Sequence, residues 1–281
     1  MNKEFKKNTV QYTLCIPLWG RMLAAKKYTD LFPDHGAERI LRELNVDLSK
    51  SKLYKLEYAY LNCAVRQYDF SCEIGCYLED HPHAAVCELG AGLSTLREQL
   101  KNESNPWYNL DMPDVIALRE KHIPAGSNET NIACDLNDFS WFDAINFKPQ
   151  DGIVFIGGGL FYYFEKEQVK RLFSAMSKKF PGGIITFDAT NAMGLRGVNK
   201  EVKLAGNATK SYFSLENPKS EIESWSPNLT QVSEKDYMRG YLRDTSQFGF
   251  ITQVAMRITT WTHTSFIVHV EFKSASTRPA I

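Results

Sequence analysis

At 281 residues, with 43 % hydrophobic and 23 % charged side chains, the chain can bury a sizeable core and leaves no room for long disordered tracts. Lys plus Arg equals Asp plus Glu, 33 each, and no basic stripe with interleaved aromatics occurs, so nucleic acid is not an expected partner. No run approaches the roughly 20 apolar residues of a membrane span, and no signal-peptide pattern follows the polar start MNKEFKKN, read as a solvated tail; a cytoplasmic protein without a membrane partner is expected.

The first eighty residues place apolar side chains three and four apart in RMLAAKKYTDLF, HGAERILRELN and YKLEYAYLNCAVRQYDFSCEIGCYLEDH, which predicts helices. Pro82 marks a stop. The expected division is a helical N-terminal cap over 1–82 and an α/β domain over 83–281. Cys15, Cys63, Cys72, Cys76, Cys87 and Cys134 form no C-x-x-C pair and read as scattered reduced thiols. Cys72 and Cys76, with His81 and His83 nearby, lack a convincing ligand set, so no metal is expected.

After Pro82 short apolar runs alternate with helical stretches: AAVCELG (84–90), PWYNLD (106–111), TNIACDL (130–136), DGIVFIGGG (151–159) and GGIITFDAT (182–190). Their spacing of about 20–30 residues suits one strand plus one crossover helix, the signature of a doubly wound parallel sheet. Residues 190–235 break the rhythm with Gly, Asn, Ser and Pro, and read as a lid-like insertion. The closing segments FGFITQVAMRITTW (248–261) and SFIVHVEFK (265–273), joined by THT, predict an antiparallel hairpin ending a seven-stranded sheet.

The first strand ends in Glu88-Leu89-Gly90-Ala91-Gly92, a turn in which bare backbone can approach a ligand. Asp111 follows at the end of the second strand, where a carboxylate can accept both hydrogen bonds of a ribose diol. Up to here a nicotinamide cofactor and S-adenosylmethionine fit equally. The dinucleotide fingerprint needs a third small residue where Thr95 stands. Glu88 is a poor neighbour for a pyrophosphate and a good one for a cationic amino-acid group. Asp135, ending the third strand, can accept from an adenine amine. Helix capping remains the ordinary alternative for any one of these acids.

ELGAGLST, then YNLDMPDVIALRE, then IACDLND with Trp141, then FIGGGLFYYF, resemble the leucine carboxyl methyltransferase family, which includes polyketide-type O-methyltransferases such as the tetracenomycin enzyme. The D-x-P-x-V-I-x-L-R string is the most specific piece, and the resemblance runs from about Arg66 to Asp188. It implies a Rossmann-like class I fold using S-adenosylmethionine. By position it implies that Arg66, with Asp69 completing R-x-x-D, binds the methionine carboxylate. Gly90 and Gly92 lie against the methionine part, Asp111 meets the ribose, Asp135 and Leu136 meet the adenine, and Met112 is a further cofactor-binding candidate. The family usually has Glu-Gly where this chain has Gly158-Gly159. That Glu helps hold the cofactor amine, and a backbone carbonyl near Gly157 or another side chain could take its place.

A carboxylate acceptor needs no base, whereas an alcohol does. No His stands at the ends of the fourth or fifth strands, and His263 is the nearest base by sequence. The expectation is therefore an O-methyltransferase for a carboxylate or acidic hydroxyl on a small molecule or peptide. Tyr162, Tyr163 and Arg196 are the candidate acceptor contacts. An NAD-dependent oxidoreductase and a catalytically degenerate binding protein of this fold are the alternatives.

Overall fold

The computed structural model describes residues 10–51, 53–204 and 210–274, so the basic start of the chain and part of the 190–235 segment lie outside the described residues. Three helices come first: α1 (Val10–Lys27), α2 (His35–Glu43) and α3 (Glu57–Asp80). The alternating part follows as β1 (Ala85–Leu89), α4 (Leu96–Leu100), β2 (Trp107–Asp111), α5 (Pro113–His122), β3 (Glu129–Ala133), β4 (Ile153–Gly157), α6 (Lys166–Lys179) and β5 (Ile184–Thr190). The chain then runs through α7 (Ala192–Leu204), α8 (Pro218–Glu223), β6 (Leu229–Asp236), α9 (Phe250–Thr262) and β7 (Ser265–Phe272).

Local chemistry fixes several boundaries. The Asp34 carboxylate accepts from Ala37 N at 2.9 Å and caps α2. Pro113 opens α5, where its missing N–H costs nothing. Glu165 and Gln168 form a reciprocal capping box on α6, which stops before Pro181-Gly182.

The strands form one sheet in the order β3-β2-β1-β4-β5-β7-β6. β1 to β5 are parallel, and β7 runs antiparallel to both β5 and β6. This is the seven-stranded, mostly parallel sheet with an antiparallel C-terminal pair that the sequence predicts. Alternate residues of each strand feed opposite faces. Ile153 and Phe155 of β4 join a core with α6, built around Phe161, Phe173 and Phe187, while Val154 and Ile156 join a core with Leu61, Val65 and Phe70 of α3. A third cluster packs α1 and α2 onto Leu93 of the glycine loop.

One segment differs from expectation. Residues 248–261 are not a strand: Phe250–Thr262 is the helix α9. Its β-branched composition suggested a strand, but its buried positions, Thr252 and Met256, recur four apart, which is the helical period. The antiparallel partner of β7 is instead β6, drawn from the end of the segment read as a lid. β6 was hidden because it is an edge strand with a polar sequence, LTQVSEKD, in which Leu229 and Val232 are buried, and a bulge lies between Thr230 and Ser233.

Candidate functional site

The strand order reverses between β1 and β4, and ligands in such sheets bind beyond the carboxyl ends at that point. A cavity of about 380 Å³ opens there. Its floor is the turn after β1. Gly90 and Gly92 both take positive φ, +64° and +49°, and a Cβ on Gly90 would stand 2.6 Å from Leu160 Cδ1. Only glycine meets both demands without strain.

Asp111 is fixed against this turn. Its Oδ2 accepts from Gly92 N and its Oδ1 from Met112 N, both at 2.8 Å. Burial pushes the Asp111 carboxyl upward in pKa, against the pull of those two N–H groups. Beneath the turn, buried Arg119 of α5 donates to Gly92 O at 3.2 Å and Ser94 O at 2.8 Å, and pairs with Glu129 of β3 at 3.4 Å. Arg97 pairs with the other oxygen of Glu129 at 3.0 Å.

The helical cap grips the same turn from above. Thr95 Oγ1 donates to Asp34 Oδ1 at 2.9 Å and accepts from Gln67 Nε2 at 3.2 Å. Arg21 joins Asp34 at 2.9 Å and donates to Leu93 O at 3.1 Å. The hydroxyl at Thr95 thus links α1, α2 and α3 to the loop, a task that a glycine or alanine there could not perform. Leu14, Ile16 and Pro17 of α1 line the cavity.

The opposite wall comes from α3, β5 and the turn after β4. Buried Asp188 accepts from Gly159 N at 2.6 Å through Oδ1 and from Arg66 Nη1 at 3.3 Å through Oδ2. Burial works against the Arg66 charge, but the neighbouring Asp188 carboxylate holds its pKa above the ordinary arginine value. Burial, and then the same carboxylate, push the Tyr162 phenol well up. A Cβ on Gly159 would meet Arg66 Nη1 at 2.7 Å, and one on Gly158 would meet Phe70 Cε2 at 2.8 Å. A side chain at 158 therefore requires the buried Phe70 ring to move.

A profile of the leucine carboxyl methyltransferase family matches residues 15–177. The chain belongs to this family. It is similar to the tetracenomycin polyketide synthesis O-methyltransferase TcmP of Streptomyces glaucescens, 24 % identical over 230 residues, covering 82 % of this chain and 83 % of the relative. A crystal structure of a putative methyltransferase from Thermobifida fusca YX superposes with a TM-score of 0.58 at 14 % identity, covering 96 % and 97 % of the two chains. The plantazolicin methyltransferase BamL, solved with a triazolic desmethylPZN analog and SAH, gives a TM-score of 0.51 at 12 % identity, covering 95 % and 100 %. At such identities the two structures share the fold.

The cofactor of the leucine carboxyl methyltransferase family is S-adenosylmethionine, and the residues present fit it. Arg66 and Asp188 offer opposite charges to an amino-acid end, Gly90 and Gly92 bare their backbone, and Asp111 offers a carboxylate to a diol. These residues and Glu88 all line the one cavity. Glu88 is buried, its Oε1 accepts from Trp107 Nε1 at 3.0 Å, and burial raises its pKa.

The remaining predicted positions fall as follows. Buried Tyr162 and half-exposed Tyr163 line the cavity. Gly157 ends β4, and the cavity wall is formed by its successors Gly158 and Gly159. Met112, next to Asp111 in the chain, is 47 % exposed and outside the cavity lining. The Asp135 carboxylate is exposed outside the cavity lining, where its Oδ1 accepts from the backbone and side-chain N–H groups of Asn137, both at 2.9 Å. Leu136 packs into the core. Arg196 is exposed on α7 and outside the lining, although Val198 of that helix reaches it. His263 also lies outside, 3.2 Å from Glu234 and stacked on Phe266.

Sequence reasoning assigned no role to Asp188, Arg119 or Tyr237. Tyr237 lines the cavity and donates to Asn62 O at 3.0 Å. Asp188 had a signal: it is the acid near the end of the fifth apolar run. Arg119 closes the D-x-P-x-V-I-x-L-R string, so its presence was visible but its task was not.

Proposed function

We propose that this member of the family transfers the methyl group of S-adenosylmethionine to an oxygen acid, a carboxylate or acidic hydroxyl, of a small molecule or peptide. The observation that carries the reading is the meeting of the Arg66–Asp188 pair, the glycine turn and Asp111 in one cavity. The relative TcmP is described as an O-methyltransferase, which supports oxygen as the acceptor atom.

When bound, S-adenosylmethionine supplies a methyl group on a sulfonium, displaced in line by an acceptor oxygen whose new bond to carbon forms as the carbon–sulfur bond breaks. The chain's work is alignment and exclusion of water. Asp111 and the glycine turn hold the nucleoside end, and Arg66 and Asp188 hold the amino-acid end. The apolar side chains of α1 line the same cavity. Tyr162, Tyr163 and Tyr237 present aromatic surface to an acceptor. Among the described residues that line the cavity there is no histidine or lysine to take a proton from an alcohol. An acceptor that arrives ionised does not need one.

An oxidoreductase reading is disfavoured by the carboxylate of Glu88 at the turn and by Thr95, which is committed to the cap. The test is calorimetric titration with S-adenosylmethionine and with NAD, followed by methyl-label transfer to a panel of aromatic acids, phenols and peptides. S-adenosylmethionine is expected to bind and NAD not. Label on an acid oxygen supports the acceptor class, and transfer to amines alone contradicts it.

A further inference from the structure

The buried Asp188 carboxylate lines the cavity beside Arg66, and neither the family resemblance nor the comparisons assign it a role. We infer that Asp188 is the residue that receives the cofactor's ammonium group, in partnership with Arg66, which receives its carboxylate. The inference rests on the S-adenosylmethionine reading above.

Strand parity explains how the pair arises. On β5, Ile184 packs into the α3-side core while Ile185, Phe187 and Ala189 pack into the α6-side core. Thr186 and Asp188 therefore share the α3 face. On α3, Arg66 and Glu73 are separated by two helical turns and so share one face. Arg66 meets Asp188, and Glu73 meets Thr186 at 3.3 Å.

Three carboxylates line the cavity among the described residues: Glu88, Asp111 and Asp188. Asp111 is fixed by backbone N–H groups at 2.8 Å, one on each oxygen, and keeps a second lone pair on each for the ribose diol. Glu88 is tied to Trp107, under the turn and on the Arg119 side. Asp188 alone stands beside a cavity-lining arginine. Its contact with Arg66 is 3.3 Å, longer than the roughly 2.7–2.9 Å of a tight charge-assisted bond. An α-amino acid carries its two charges on one carbon. A guanidinium and a carboxylate already side by side, with the slack between them filled by the ligand's own opposite charges, complement that arrangement. The bare backbone of Gly158 and Gly159 alongside admits the ligand and contributes no charged side chain.

A purely structural role for Asp188, holding Arg66 and Gly159 N in place, predicts something different, and the two can be separated. The probes are S-adenosylhomocysteine, its desamino analogue, which keeps the carboxylate, and methylthioadenosine, which has neither group; affinities are read by calorimetry. Wild type is expected to bind S-adenosylhomocysteine at least about tenfold more tightly than the desamino analogue, as the loss of one charged hydrogen bond implies. Asp188→Asn is expected to erase that preference, weakening S-adenosylhomocysteine while leaving the desamino analogue and methylthioadenosine nearly unchanged. Equal weakening of S-adenosylhomocysteine and the desamino analogue, or no change in either, overturns the assignment. The wild-type comparison stands without the variant: equal affinity for the amino and desamino ligands also overturns it. Failure of wild type to bind any of the three ligands would instead overturn the cofactor reading itself.

Discussion

Arg119 and Gly92 are joined by a hydrogen bond of 3.2 Å that runs beneath the glycine turn, from an arginine 1 % exposed to the carbonyl of the second glycine. The same guanidinium reaches Ser94 O, so one side chain of α5 holds the turn against β3 through Glu129. Arg119→Met removes a buried charge from this group and leaves Glu129 with Arg97. Unfolding free energy should fall by about 3 kcal/mol in denaturant titration, and affinity for S-adenosylhomocysteine should fall with it. An unchanged affinity would mean that the turn holds its shape without the brace.

Gly90 combines a φ of +64° with a close approach to Leu160. Gly90→Ala should lower stability by about 1–2 kcal/mol from the left-handed backbone alone, and more from the contact with Leu160. The double variant Gly90→Ala, Leu160→Ala should recover the packing part and not the backbone part. Thermal unfolding of wild type, both single variants and the double variant separates the two costs.

Strands β1, β4 and β5 were legible because they are buried on both faces and read as mainly apolar runs, as IVFI and IITF do, whereas the edge strand β3 is only partly buried. The glycine turn and Asp111 were legible because each sits at the end of such a run. What stayed hidden depends on sequence-distant partners. Arg66 and Asp188 are 122 residues apart and meet only because β5 lies beside β4 under α3. α9 was misread because β-branched residues such as Ile251 and Ile258, 81 % and 54 % exposed, suggest a strand, while only its two buried positions, Thr252 and Met256, show the helical period. β6 was missed because an edge strand can be mostly polar.

Asp69 is fully buried on α3, and among the described residues neither of its carboxylate oxygens has a hydrogen-bond partner. Burial, with the charges of Glu73 and Asp236, pushes its pKa up to about 9. Folding therefore takes up a proton wherever the unfolded carboxyl is ionised and the folded one is not. Stability should fall as pH rises between about 4 and 9, by up to about 1.4 kcal/mol per pH unit from this group. Asp69→Asn should remove that slope and raise the melting temperature at pH 8. Parallel pH profiles of the two proteins, or a variant less stable than wild type at pH 8, would count against this.

Glu73, one helical turn further along, is the opposite case. Burial would raise its pKa, but hydrogen bonds from His269 (3.0 Å), Lys235 (2.8 Å) and Tyr241 (2.5 Å) outweigh burial and hold it at about 2. Its contribution is present above the unfolded carboxyl value and is lost as pH falls towards 2. Glu73→Gln should cost about 3 kcal/mol near neutrality, with the gap to wild type closing in acid. Denaturant titrations at pH 7 and pH 3 check both parts.

The central claim is an S-adenosylmethionine site built on the turn after β1 with Asp111 as its nucleoside anchor. The most direct test is calorimetric titration of S-adenosylmethionine into wild type and Asp111→Ala, with unfolding monitored on both. The expected result is binding by wild type and an affinity reduced at least about tenfold in the variant, with the fold retained. Undiminished affinity in a folded Asp111→Ala, or no binding by wild type, would contradict it.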